Sequence, residues 1–202
     1  MFAKILFAWL WLAPAAAFAE DHAKPNIIEE KDGNVTNYRV EGSLAATNPV
    51  GCIPLADAKN NLTPADLYKG ISECIDQNKF EMAVELFALA GIYARFDAER
   101  VTDETAGQAG EVLISDTFAN VPEKKKSQFF AMFQRISKSP KLLEPLCVKI
   151  RQMGAPDYEP KYMILHGMKA FLGDPYEGAL SDKFDAAATW QRLQSDYLHC
   201  PK

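Results

Sequence analysis

From Thr63 onward, apolar side chains recur three and four residues apart in one segment after another, and only a few residues separate the segments. That spacing is the signature of amphipathic helices, and it constrains the fold more than any other feature of the chain. Leu67, Ile71, Cys74 and Ile75 make one stripe, which Asn78 closes. Phe80, Val84, Phe87, Ala88 and Ile92 make a second. A third opens at Asp103-Glu104 and runs through Ala109, Val112, Leu113 and Phe118. Segments 127–136, 142–153, 162–172 and 184–198 bring the expected total to about seven helices. The connectors carry Pro122, Pro140, Gly154-Ala155-Pro156 and Gly173-Asp174-Pro175. Connectors this short fold consecutive helices back on one another, so the reading is an all-α domain of antiparallel hairpins over residues 61–202.

Local signals agree with that frame. Thr63-Pro64-Ala65-Asp66 supplies a capping hydroxyl, a proline for the first helical position and an acid for the first turn. Phe129, Phe130, Met132 and Phe133 are read as core, because bundles need large apolar side chains at this spacing. Pro145 is placed in the first turn of a helix beginning near Leu143, where it carries no penalty. Residues 20–60 are polar and read as an extended N-terminal arm. Lys31-Asp32-Gly33-Asn34 forms a turn there, and 35–44 gives either one short strand or plain extended chain. Asn48-Pro49-Val50-Gly51 and Ile53-Pro54 disfavour helix before residue 60.

The first nineteen residues read as an export signal. Lys4 gives the positive start, Ile5 to Leu12 the apolar stretch with Trp9 and Trp11, Pro14 the break, and Ala17-Phe18-Ala19 the cleavage pattern before Glu20-Asp21. Cleavage after Ala19 leaves 183 residues and places the protein in the periplasm. The apolar stretch falls short of the roughly 20 residues a bilayer demands, so no membrane insertion is expected.

An oxidising compartment gives meaning to the four cysteines, Cys52, Cys74, Cys147 and Cys200, as two disulfides. Three connectivities are open. Cys52–Cys74 with Cys147–Cys200 is favoured, because each bond then ties a loop or a chain end to a helix. A metal site is not expected, since neither C-x-x-C nor H-x-x-x-H occurs. With 22 basic and 27 acidic side chains the chain is mildly acidic, which gives no basis for nucleic-acid binding. The run Lys124-Lys125-Lys126 reads as a solvated helix start.

Catalytic patterns are missing. After the signal the histidines are His22, His166 and His199, and there is no G-x-S-x-G, Gly-rich phosphate loop, H-E-x-x-H or S-x-x-K. His166 beside Gly167 reads as a packing histidine. The expectation is a non-enzymatic protein with no cofactor; a small hydrolase using paired carboxylates stays open as the enzymatic alternative.

Two stretches echo each other. Lys79-Phe80-Glu81-Met82-Ala83 returns as Lys183-Phe184-Asp185-Ala186-Ala187, each after a segment holding a glycine, Gly70 or Gly167. Ala83, Phe87 and Ala90 are spaced so that small residues let neighbouring helices approach. With Leu67 and Cys74 on the preceding segment, this resembles a tetratricopeptide unit. Leu165, Gly167, Phe171 and Gly173, followed by Asp182, Ala186-Ala187 and Trp190, resemble the Sel1-like repeat. Such repeats imply a concave surface that grips a protein element.

Together with the export signal, the chain resembles periplasmic immunity proteins that guard against type VI secretion toxins, some of them phospholipases. The resemblance implies steric occlusion of a toxin, with an acidic surface speeding association with a basic partner. Tyr158, Tyr162 and Tyr176 are the candidate exposed anchors. A periplasmic adapter for a cell-envelope complex is the alternative. A eukaryotic secreted protein, with Asn34-Val35-Thr36 and Asn61-Leu62-Thr63 as glycosylation sites, is a third.

Overall fold

The computed structural model describes residues 25–201; the export-signal reading and His22 lie outside the described residues. Among the described residues seven α-helices dominate: α1 (Pro64–Asp76), α2 (Phe80–Arg100), α3 (Ala109–Ala119), α4 (Glu123–Ser137), α5 (Pro140–Met153), the single turn α6 (Lys161–Ile164) and α7 (Ala186–Asp196). The only sheet among the described residues is an antiparallel hairpin, β1 (Ile27–Asp32) with β2 (Val35–Val40), in register Ile27 opposite Val40. The fold is all-α with an N-terminal arm, as the periodicity predicts. Part of that arm is a two-stranded hairpin rather than one strand. Gly33, at φ +58°, makes the turn that allows it.

α2 is the axis of the molecule. It is 21 residues long and buries Ala83, Leu86, Leu89, Ala90, Ile92, Tyr93 and Phe96 on all sides, because α1, α3, α4 and α7 surround it. α1 packs against it as the first antiparallel hairpin. The start of α1 is fixed as its sequence predicts: Asp66 N–H donates to Thr63 Oγ1 (3.2 Å) and Thr63 N–H donates to Asp66 Oδ2 (2.8 Å). The other Asp66 oxygen accepts the Asn48 N–H (2.6 Å), so this cap also holds the arm. Asn78, at φ +60°, turns the chain into α2.

Gly70 allows close approach, but to the arm more than to the next helix. A methyl group there would lie 2.7 Å from the Gly51 carbonyl oxygen and 3.4 Å from Leu86. The arm therefore lies directly on α1, where Cys52 is bonded to Cys74 with the Cα atoms 4.6 Å apart. The second disulfide, Cys147–Cys200 (Cα atoms 5.7 Å apart), ties the C-terminal tail to α5. Both bonds are the favoured pairing.

Three segment expectations need correction. Residues 162–172 do not form one helix: α6 stops at Ile164, and a separate 3₁₀ turn covers Met168–Phe171. The cause is a side-chain substitute for helical bonding. Asp103 Oδ2 accepts the Lys169 N–H (2.8 Å), Thr105 Oγ1 accepts the Met168 N–H (2.9 Å), and Asp103 sits where a Gly167 side chain would be. Second, α5 begins at Pro140, which puts Pro145 inside the helix; the site is exposed, so water can serve the Lys141 carbonyl that loses its donor. Third, the Phe-rich stripe of α4 is only partly core: Phe129 is buried, whereas Phe130 and Phe133 are 46% and 37% exposed.

The echo is also unequal in three dimensions. Lys79-Phe80 starts α2 after a full helix, but Lys183-Phe184 precedes α7 after an irregular stretch.

Candidate protein-docking site

The structure turns two of the three candidate tyrosines inward. Tyr162 is 2% exposed, so it is no surface anchor. Its hydroxyl donates to Asp97 Oδ2 (2.9 Å), and the half-buried Tyr158 donates to the same oxygen (3.0 Å). Arg100 Nη2 pairs with Asp97 Oδ1 (2.7 Å) and also donates to the Tyr158 carbonyl (2.9 Å). The Arg100 guanidinium lies between the Phe96 and Tyr158 rings, at 5.4 and 5.3 Å from their centroids. Burial pushes the Asp97 carboxyl up to about 6, against the opposing pull of Arg100 and the two tyrosine hydroxyls. Burial likewise lifts both phenols well above their ordinary range. Every partner is satisfied inside the protein, so this network locks the 158–162 segment to α2. Tyr176 stays half-buried, its ring 5.8 Å from Lys161 Nζ.

A serine–histidine contact, invisible in the sequence, joins the arm to the segment after α6: Ser43 Oγ and His166 Nδ1 are 3.1 Å apart, 123 residues distant along the chain. Burial holds the imidazole below its usual pKa and so neutral near pH 7. Nucleophilic chemistry would also need N–H groups aimed at a developing oxyanion. On the serine side three N–H groups are engaged elsewhere: Ser43 N–H donates to Val40, Leu44 N–H to Tyr162 and Ala45 N–H to Gly42. The pair works as a pin. The packing role expected of His166 thus takes the form of an arm contact.

Among the described residues, the α4–α5 hairpin combines unpaired charge with exposed apolar side chains. Residues 122–151 hold eight basic side chains and two acidic ones, Glu123 and Glu144, a net +6 within a chain of net −5. Lys125 is engaged with Asp76, Lys149 with Glu85, and Arg151 with Gln194. Lys124, Lys126, Arg135, Lys138 and Lys141 have no ion-pair partner among the described residues. Beside them the hairpin exposes Phe130, Phe133 and Leu142.

Where α4 and α5 meet α2 and the C-terminal tail, a groove of about 330 Å³ opens. Val84, Phe87, Phe133, Ile136, Leu143 and Leu198 make it apolar, with Ser137 and His199 as its polar edge. The Cys147–Cys200 bond holds the tail that forms one wall. A wider cleft of about 520 Å³ lies on the other side of the tail, lined by Arg151, Gln191, Gln194 and Ser195 together with Cys200 and Pro201.

Sequence reasoning read Lys124–Lys126 alone and missed the segregation of charge across the whole hairpin. It also placed Phe130 in the core. Yet at 3.6 residues per turn Phe130 lies about 100° round the helix from Phe129, whereas Met132, Phe133 and Ile136 cluster near Phe129. Among the described residues, no group of His, Cys, Asp and Glu side chains could hold a metal ion, and no helix is long and apolar enough to cross a membrane. No family model, curated protein or solved structure matches the chain.

Proposed function

We propose that the chain is an exported, disulfide-braced protein-binding module, and that it is an immunity protein neutralising a secreted antibacterial toxin by steric occlusion. A type VI phospholipase effector is the toxin class this reading names. The observation that carries the protein-binding reading is the α4–α5 face. Exposed aromatic side chains beside an apolar groove, on a hairpin of net charge +6, support an interface for a protein partner. Two disulfides support an oxidising destination. The internal polar groups support the same reading, because Asp97, Tyr158, Tyr162 and Arg100 are consumed in holding the fold.

The test is co-expression with a toxin encoded beside the gene. The exported protein protects the cell, and deleting residues 1–19 abolishes protection while the protein still accumulates in the cytoplasm. Protection that persists without export overturns the periplasmic mechanism. Turnover of a small-molecule substrate by the purified protein overturns the binding-only reading.

A further inference from the structure

We infer that the groove between α2, α4, α5 and the C-terminal tail receives an acidic amphipathic helix of the partner, apolar side chains entering beside Phe133 and carboxylates lying along the lysines. This rests on the protein-binding reading and names the partner chemistry of that same face. The groove is apolar and concave, at the small end of the roughly 300–1,000 Å³ typical of ligand clefts. It is continuous with Phe133, which lines it, while Phe130 and Leu142 stand exposed on the same two helices. Helix-in-groove recognition uses this arrangement, with anchors at i, i+3, i+4 and i+7 dropping into a trough between helices.

Charge selects the sign of the occupant. Lys138 closes α4 directly after the groove residue Ser137, and Lys141 lies in the first turn of α5, two residues before the groove residue Leu143. The net +6 of this hairpin leaves the rest of the chain at −11. An acidic helix seated in the groove would lie along the cationic hairpin, with Val84, Phe87 and Ala88 of α2 as its apolar floor. An anionic bilayer is an extended plane, so it would also meet the acidic remainder and be repelled. A bilayer surface also cannot enter a trough, whereas side chains of a helix can. The partner's basic character expected from net charge alone therefore gives way, at this face, to an acidic segment.

The test titrates the purified, disulfide-intact protein with a fluorescein-labelled 18-residue helical peptide carrying a leucine stripe flanked by glutamates. Its companion has lysines in place of the glutamates, and phosphatidylglycerol vesicles form a third arm. The glutamate peptide binds, and raising salt weakens it. Lys138→Glu/Lys141→Glu weakens it at least tenfold, and so does Phe133→Ser. Leu172→Ser, at a remote site 82% exposed, leaves it unchanged. Because Lys138 and Lys141 are exposed, their double variant tests the groove even if Phe133→Ser fails to fold. Equal binding of the lysine peptide, stronger binding to vesicles, or a self-association that occupies the groove overturns the inference.

A photo-cross-linking phenylalanine analogue at position 130 or 172, in cells making the protein, separates the two levels. A cross-link at 130 that Lys138→Glu/Lys141→Glu abolishes supports the groove. A cross-link at 172 alone overturns the groove and leaves the protein-binding reading standing. None at either position overturns both.

Discussion

Asp97 shows how one buried residue can tie distant parts of a chain together. It has no exposed surface and binds one guanidinium and two phenols. Burial outweighs those partners, so its carboxyl is raised from 3.8 to about 6. The folded protein therefore holds this proton more tightly than the unfolded chain does. Its contribution to stability is full below the unfolded value and is lost as pH rises through the folded one. Between these limits stability falls with rising pH by at most about 1.4 kcal/mol per unit. Urea unfolding between pH 7 and pH 4.5 checks this: relative to Asp97→Asn, the wild type gains stability on acidification through this window. Parallel profiles would remove the network from the account. Gly70 is the other sensitive position. Gly70→Ala forces the Gly51 carbonyl away from α1 and lowers the unfolding free energy by about 1–3 kcal/mol, read from the urea midpoint.

At the level of elements, legibility followed locality. The start of α1 was readable because Thr63, Pro64 and Asp66 act within one turn. The α1–α2 and α4–α5 hairpins were readable because their stripes and short turns are local. The 162–172 break was not, since it depends on Asp103 and Thr105 capturing backbone donors more than sixty residues away. Ser43–His166 and Asp97 with its tyrosines were hidden for the same reason: neither end of such a contact marks the other. The candidate docking face was half legible. Its basic charge and the off-stripe Phe130 were present in the sequence, but the groove needs the tail, which Cys147–Cys200 brings alongside α5. Replacing both cysteines by serine removes a cross-link spanning 53 residues, worth about 4 kcal/mol by chain entropy. Non-reducing thermal unfolding measures the loss, with faster amide exchange expected at residues 197–200. Unchanged stability and exchange would show that packing alone holds that wall.

At the scale of the whole molecule, a central helix sheathed by others and pinned by two covalent ties is a rigid support. Its buried Asp97 network is occupied with holding α2 to the 158–162 segment, and its charge is divided between a cationic hairpin and an acidic remainder. Such a body is suited to holding a partner element in a fixed place, which is what occlusion of a toxin demands. Amide hydrogen exchange on the protein, free and mixed with a toxin encoded beside its gene, tests the proposed function most directly. The account predicts added protection confined to residues 122–151 and the tail at 197–200, with the 168–180 segment unchanged. Protection centred on 168–180, or spread evenly over the surface, would contradict it.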